Sequence, residues 1–261
     1  MPPELKSNDR VIHDDVVHGT LHLTMTGVLA KSSNIGTAMA ARQFTPKQLH
    51  DYLSAFGLGR RTELGVNGES AGVLSDPSTW AQVNQDNIAF GQGVAVNAVQ
   101  MAAAVNAVAN GGEYVAPSLI KGRATTSGGQ VVGSDTSTRR RVISKHAAAQ
   151  ERRMMESVTQ EGGTAPKTAI AGYRVGGKTG TAQRVGAKCR CYDGTRTVSF
   201  IGLAPADKPR FLVYALVQNP RNGGFGSTTA GPVVRSVMSY LLQKYAVAPD
   251  GTKPPTPALT W

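Results

Sequence analysis

The sequence is poor in cysteine, in acidic residues and in long apolar segments, and these shortages limit the classes of protein to which it can belong. Only two cysteines occur among 261 residues, Cys189 and Cys191, which is too few for a four-cysteine zinc site and differs from the redox C-x-x-C spacing. The 17 acidic residues stand against 28 Lys and Arg, a net charge of +11 that favours an anionic partner or surface without choosing one. No apolar run of about 18 residues is present, so no transmembrane helix is predicted.

Signals for export, nucleic-acid binding and metal binding are equally scarce. The first ten residues, MPPELKSNDR, contain neither an apolar segment nor a cleavage site. Without a zinc-finger or RNA-recognition signature, no nucleic-acid partner is predicted. His13, His18 and His22 lie near one another but lack an accompanying set of carboxylates, so they are interpreted as a polar strand face and no metal site is predicted. The two cysteines fit free thiols and a local disulfide equally well.

Capping residues and hydrophobic periodicity predict helices first and an antiparallel sheet afterwards. Candidate helix starts lie near Ser32 and directly after Thr45, Asp76, Asn97 and Ser144, because their side-chain oxygens can accept hydrogen bonds from the first turn of a helix. Residues 21–25 alternate between apolar and polar and predict a half-buried strand. Residues 122–140 are rich in Gly, Ser and Thr and predict a loop.

The last third of the chain predicts a sheet covered by a helix. Three β-type runs between residues 173 and 218 are joined by connections too short for crossover helices, so the strands are expected to be antiparallel neighbours. The segment GPVVRSVMSYLLQKYA predicts an amphipathic helix that covers the sheet. Residues 247–261 are rich in proline and predict a mobile tail.

The sharpest local motif is G-K-T-G-T at residues 177–181. On a strand, its glycines would let a ligand lie against the backbone, and Lys178 and Thr179 could hold a carboxylate. Residues 172–179 also fit the nucleotide-binding pattern G-x-x-x-x-G-K-[ST]. That pattern requires a buried strand before it and a helix directly after it, and the flanking TAPKTAIA and GTAQRVGAKC fit neither. A phosphate-binding loop is therefore not predicted.

A second triplet, Ser32-Ser33-Asn34, stands at a predicted helix start and alone would be read as a helix cap. Together with a later K-T-G on an antiparallel strand, two further strands and a terminal helix, it resembles the motif order of the penicillin-binding and serine β-lactamase superfamily. The stretches KSSNIGTAMA, GGKTGTAQ and SFIGLAPADKPRFLVYALV look like class B penicillin-binding proteins, the D,D-transpeptidases that cross-link septal peptidoglycan. The resemblance extends from about residue 12 to 245, and the C-x-C loop is similar to actinobacterial members.

The resemblance implies an α+β penicillin-binding transpeptidase fold over residues 1–246, with its N-terminal part missing. A mainly helical lobe is expected at about 29–112 and a sheet flanked by helices at about 113–246. Among catalytic residues, it assigns Ser32 to a proton relay, Lys178 to positive potential, and the backbone N–H of Thr181 to one half of an oxyanion hole.

The resemblance also implies substrate-binding residues and partners. Asn34 would bond the acyl side chain, Thr179 would bind the terminal carboxylate, and Gly180 would keep the strand open. The implied ligands are peptidoglycan stem peptides and β-lactams, with no cofactor. A full-length member of this family would act at the extracytoplasmic face of the membrane among division-complex membrane proteins.

The nucleophile of this family, the serine of S-x-x-K, is expected on a helix roughly fifty residues before the S-x-N triplet, which would place it before Met1. The S-x-x-K string that does occur, Ser118 to Lys121, follows the triplet in a strand-like context, where the two side chains would point to opposite faces. It is not predicted to be the nucleophile. The chain is therefore expected to be a transpeptidase fragment that is inactive alone, and a non-catalytic binding or scaffold protein on the same fold is the alternative.

Overall fold

A computed structural model describes residues 1–62, 64, 68–186, 189, 191–221, 224–249 and 251–261. Its α-helices lie at α1 Met25–Lys31, α2 Asn34–Ala41, α3 Pro46–Ala55, α4 Gln82–Ala89, α5 Ala98–Ala109, α6 Lys145–Glu156, α7 Gly226–Thr229 and α8 Gly231–Lys244. Its strands lie at β1 Leu5–Ser7, β2 Arg10–Ile12, β3 Glu113–Val115, β4 Ala124–Thr125, β5 Val131–Val132, β6 Arg139–Arg141, β7 Gly176–Val185, β8 Tyr192–Ala204 and β9 Phe211–Gln218. Short 3₁₀ turns lie at Pro77–Thr79, Ser134–Thr136, Ser157–Thr159 and Pro166–Thr168.

Most predicted helix starts are confirmed at the capping residue. Thr45 and Asn97 each accept a hydrogen bond from the third residue of α3 and α5, and a Gln at that position bonds back to the cap. Ser144 accepts from Ala147 at the start of α6. These caps satisfy backbone N–H groups that have no partner inside the helix, so local chemistry alone locates these three helices.

The predicted antiparallel meander is confirmed as a three-stranded sheet in the order β7-β8-β9. Its register pairs Thr179 with Phe200 and Thr181 with Val198. Phe200 is fully buried against Val158, Ala165, Ala230 and Val234, a cluster that joins the sheet to α8 and to the turns after α6. Strand β7 lies at an edge of this sheet, so alternate backbone groups of β7 point away from β8.

The predicted strand at residues 21–25 is wrong. Helix α1 begins at Met25, because the side chain of Thr24 caps it by accepting from Gly27 N, and only Leu23 forms an isolated bridge, to Thr260. The three nearby histidines therefore form no strand face. His18 bonds Asp14 through Nε2 at 3.0 Å, and His22 packs edge-on against Trp261.

Two other regions are more ordered than their composition predicts. The segment 122–140 is not a continuous loop: β4 and β5 pair as a hairpin, and β6 pairs with β3. The tail at 247–261 was expected to be mobile, yet its far end is bonded to α1: Leu259 O accepts from Thr24 N at 3.0 Å, and Trp261 N donates to His22 O at 3.0 Å. The β3–β6 pair and the tail contacts join segments distant in sequence, whereas β4 and β5 form a local hairpin.

The described residues can be compared with what the composition excludes. Among the described residues, no helix is both long and apolar enough to cross a membrane. Within the same part of the chain, no group of three or more His, Cys, Asp or Glu side chains is arranged to hold a metal ion. Cys189 and Cys191, for which the sequence left two states open, are joined as a disulfide in the structure.

Candidate active site

The two motifs predicted to form a site, S-x-N and K-T-G, meet in the structure. Lys178 Nζ lies 2.6 Å from Ser32 Oγ and 2.9 Å from the carbonyl oxygen of Thr179. Because an ammonium group only donates, Ser32 accepts this bond, and its own hydroxyl proton remains available to another acceptor. A contact between residues 146 positions apart joins the helical part of the chain to the edge strand of the sheet.

Ser32 stands at the junction of two short helices. It ends α1 in the left-handed conformation, with φ 57° and ψ 45°, a region that non-glycine residues seldom occupy. Ser33 then caps α2, accepting from Gly36 N at 2.9 Å, so the triplet turns the chain sharply. The predicted cap at this position is confirmed for Ser33, whereas Ser32 itself lies between the helices with its hydroxyl directed at Lys178.

Asp14, which the sequence did not indicate, fixes the orientation of the S-x-N turn. Its Oδ1 accepts from Ile35 N at 3.0 Å, and its Oδ2 accepts from Ser33 Oγ at 2.8 Å. The side chain of Asn34 donates from Nδ2 to His13 O at 3.0 Å. Residues 13 and 14 thus hold the last two residues of the triplet and the residue after it, and no local signal predicts this because the contacts span 19 to 21 residues of sequence.

The charge of Lys178 is set by opposing influences. Burial is the larger one and lowers the pKa of Lys178 from its ordinary value to about 8, while Asp15 and Glu151 act in the opposite direction. Burial also raises the pKa of Glu151, opposed by the nearby charge of Lys178. With a pKa of about 8, most of the Lys178 population stays protonated at neutral pH, which is consistent with a cation that binds an anionic ligand.

The two glycines of the G-K-T-G-T motif have little room for a side chain. A Cβ on Gly177 would lie 2.4 Å from Phe200 Cζ, and one on Gly180 would lie 2.5 Å from Ser199 Oγ. On β7, Lys178 and Thr179 point to opposite faces of the strand. Lys178 meets Ser32 on one side, and Thr179 Oγ1 lies 3.3 Å from Thr164 Oγ1 on the other.

Residues 172–179 do not form a phosphate-binding loop, in agreement with the prediction from their flanking sequence. Strand β7 continues from Gly176 to Val185, whereas that motif needs a helix N-terminus directly after the lysine to supply amides to phosphate. The second S-x-x-K string also lies apart from the site. Ser118 is exposed, and its hydroxyl donates to Ile120 O within its own turn at 3.0 Å.

Comparison with known proteins places this geometry in a family. Residues 6–239 match the penicillin-binding protein transpeptidase domain. The chain is 37% identical to penicillin-binding protein PbpB of Mycolicibacterium smegmatis, an alignment that covers 100% of this chain and 41% of that protein. It is 34% identical to peptidoglycan D,D-transpeptidase FtsI of Escherichia coli, covering 87% of this chain and 37% of that protein.

Solved structures agree with the sequence relatives. Penicillin binding protein 3 of Mycobacterium tuberculosis, complexed with ampicillin, superposes with a TM-score of 0.89 at 32% identity over 100% of this chain and 59% of that one. The chain therefore belongs to the penicillin-binding protein transpeptidase family, as a class B member, and the predicted α+β transpeptidase fold is confirmed. It spans about two fifths of the length of the PbpB and FtsI relatives.

Proposed function

We propose that this chain carries the S-x-N and K-T-G part of a peptidoglycan D,D-transpeptidase site, and that the reacting serine comes from outside residues 1–261. The observation that carries the proposal is the 2.6 Å contact between Lys178 Nζ and Ser32 Oγ, which joins the two motifs in one place. The names of the PbpB and FtsI relatives support the reaction class.

In the proposed reaction, the three catalytic groups have different tasks. Ser32 relays a proton between the nucleophile and the leaving amine, since its hydroxyl accepts from Lys178 and can donate onward. Lys178 supplies positive potential to the relay and to the ligand carboxylate. The backbone N–H of Thr181, on the edge strand β7, donates to the oxygen that becomes negative as the tetrahedral intermediate forms.

Substrate recognition is proposed for three neighbouring groups. Asn34 uses an N–H donor and its carbonyl oxygen to bond the acyl side chain, because an amide has two N–H donors and His13 O engages one. Thr179 donates to the terminal carboxylate, and Gly180 leaves room for the ligand backbone. The ligands proposed are peptidoglycan stem peptides and β-lactams, in line with the ampicillin complex of the M. tuberculosis relative.

The same relatives support a proposed cellular setting. The whole protein that carries this chain would act at the extracytoplasmic face of the cell membrane and would associate with membrane proteins of the division complex. FtsI of E. coli, which the chain resembles over 87% of its length, supports this placement. Co-purification of the membrane-bound native protein with division proteins tests it.

Covalent labelling with a reporter penicillin, read by intact mass and peptide mapping, tests the reaction. We expect one adduct per molecule in the native protein that contains this chain, on a serine outside residues 1–261, and no adduct on the isolated chain. An adduct on Ser118 would overturn the assignment of the nucleophile. A native protein that forms no adduct would overturn the D,D-transpeptidase proposal and favour a binding role.

A further inference from the structure

One hydroxyl outside both motifs, that of Thr164, lies between the two halves of the site. The backbone N–H of Thr164 donates to Ala30 O at 3.1 Å, two residues before Ser32. The side-chain Oγ1 of Thr164 lies 3.3 Å from Oγ1 of Thr179. A single residue therefore contacts the helix that ends at Ser32 and the hydroxyl assigned to carboxylate binding.

The turn that holds Thr164 has little freedom to move. A Cβ on the preceding Gly163 would lie 2.2 Å from Ser157 O and 2.4 Å from Val158 O, so two backbone segments meet there. The following Ala165 donates from its backbone to Val158 O at 2.8 Å and is buried in the cluster that contains Phe200. Since Phe200 is the ladder partner of Thr179, the packing fixes Thr164 relative to the strand that carries Thr179.

We propose that Thr164 is a positioning residue that directs the hydroxyl proton of Thr179 toward the carboxylate of the ligand, an inference that rests on the proposed function. A hydroxyl has one proton and two acceptor lone pairs. The bond to a carboxylate is the stronger one because its acceptor is charged, so Thr179 gives its proton to the ligand. Thr179 then accepts from Thr164, and hydrogen bonds arranged in such a chain strengthen each other.

The two contacts of Thr164 can be separated by substitution. Thr164→Val keeps the size and β-branching of the side chain and the backbone bond to Ala30, and it removes only the hydroxyl. Thr164→Ser restores a hydroxyl without the methyl group. If Thr164 only supports packing, the acylation rate should depend on the methyl group and not on the hydroxyl. If Thr164 positions Thr179, the rate should fall in Thr164→Val and recover in Thr164→Ser.

The test measures acylation of the native protein that contains this chain by a penicillin and by the methyl ester of that penicillin, which lacks the charged acceptor. We expect Thr164→Val to slow acylation by the free acid about fivefold, the effect of one typical hydrogen bond, and to leave acylation by the ester within about twofold. Thr164→Ser should recover most of the rate. In a Thr179→Val background, Thr164→Val should have no further effect on the free acid.

The outcomes separate this inference from the proposed function. If the wild-type protein is acylated and Thr164→Val reacts with the free acid at the wild-type rate, the positioning role is wrong and the transpeptidase proposal stands. Equal losses with acid and ester, without recovery in Thr164→Ser, would also overturn it. A wild-type protein that is not acylated at all would overturn both.

Discussion

Ser32 is held in a backbone conformation that serine seldom adopts. Its φ of 57° at the end of α1 places the side chain where Lys178 can donate to it. Non-glycine residues in this region cost about 1–2 kcal/mol relative to the right-handed form, and such conformations concentrate at functional sites. This cost in free energy is consistent with Ser32 serving through its hydroxyl group and not through a contribution to stability.

Paired substitutions separate the backbone cost of Ser32 from its hydroxyl. Ser32→Gly and Ser32→Ala both remove the hydroxyl, but only glycine adopts the left-handed conformation freely. We expect Ser32→Gly to have a free energy of unfolding about 1 kcal/mol higher than Ser32→Ala, measured by urea denaturation. An Ala variant as stable as the Gly variant would contradict the left-handed assignment.

The pKa of Lys178 predicts how stability changes with pH. In the unfolded chain a lysine has a pKa of about 10.4, and in the folded protein burial lowers that of Lys178 to about 8. Between these values the unfolded chain binds more protons, so the contribution of Lys178 to the free energy of unfolding rises with pH. Below about pH 8 this contribution does not change with pH, because both states are protonated.

Comparison with Lys178→Met isolates this effect from other titrating groups. Urea denaturation from pH 7 to pH 10 should give the wild-type protein a steeper increase, or a shallower decrease, in unfolding free energy than the variant shows. Equal slopes would mean that Lys178 keeps an ordinary pKa in the folded protein.

At the residue scale, the sequence identifies the groups that belong to short motifs and misses their supports. The motif spacing and order indicated Ser32 and Lys178, and the structure brings them together. Asp14 and Thr164 escaped notice because single Asp and Thr residues are common and the side-chain bonds that tie them to the two motif segments span 15 to 21 residues.

Elements marked by a clear capping or spacing signal were predictable, and those whose composition is typical of another structure were not. Side-chain caps and short connections located α3, α5, α6 and the β7-β8-β9 sheet. The start of α1 was misread because the alternation in residues 21–25 imitates a strand. Residues 122–140 form β4, β5 and β6 although their composition is typical of a loop.

The turn after α6 gives a prediction at the element scale. Gly163→Ala places a Cβ against the carbonyl oxygens of Ser157 and Val158. These are backbone atoms, so they cannot rotate away from the added group as a side chain could. We expect a loss of about 2 kcal/mol in the free energy of unfolding, in the range of overpacked sites. Gly19→Ala, where nothing lies within 4 Å of the added Cβ, is the matched control, and a similar small effect in both variants would contradict the tight turn.

At the scale of the whole molecule, the C-terminal tail docks on the start of α1. The carbonyl of Leu259 accepts from the capping residue Thr24, and Gln160 Nε2 donates to Pro255 O at 3.0 Å. The final residues therefore brace the helix that ends at Ser32. Proline content alone indicated a tail that moves freely, since composition reports local stiffness and not the docking of a segment on a distant helix.

Gly27 is where this bracing can be tested. A Cβ on Gly27 would lie 2.0 Å from the backbone oxygen of Leu259, so Gly27→Ala should displace the tail. We expect faster hydrogen exchange at the amides of Thr24 and Trp261, which are bonded across this contact. Gly19→Ala should leave both amides protected, and protection that survives Gly27→Ala would show that the tail does not depend on this contact.

The central claim is that Lys178 and Ser32 form one site for acyl transfer. Its most direct test is the rate of acylation by a reporter penicillin in the native protein that contains this chain, for Lys178→Ala and for the exposed Lys121→Ala as a control. We predict at least about a hundredfold loss for Lys178→Ala, the size expected for removal of a transition-state donor, and an unchanged rate for Lys121→Ala. Acylation of Lys178→Ala at the wild-type rate would contradict the account.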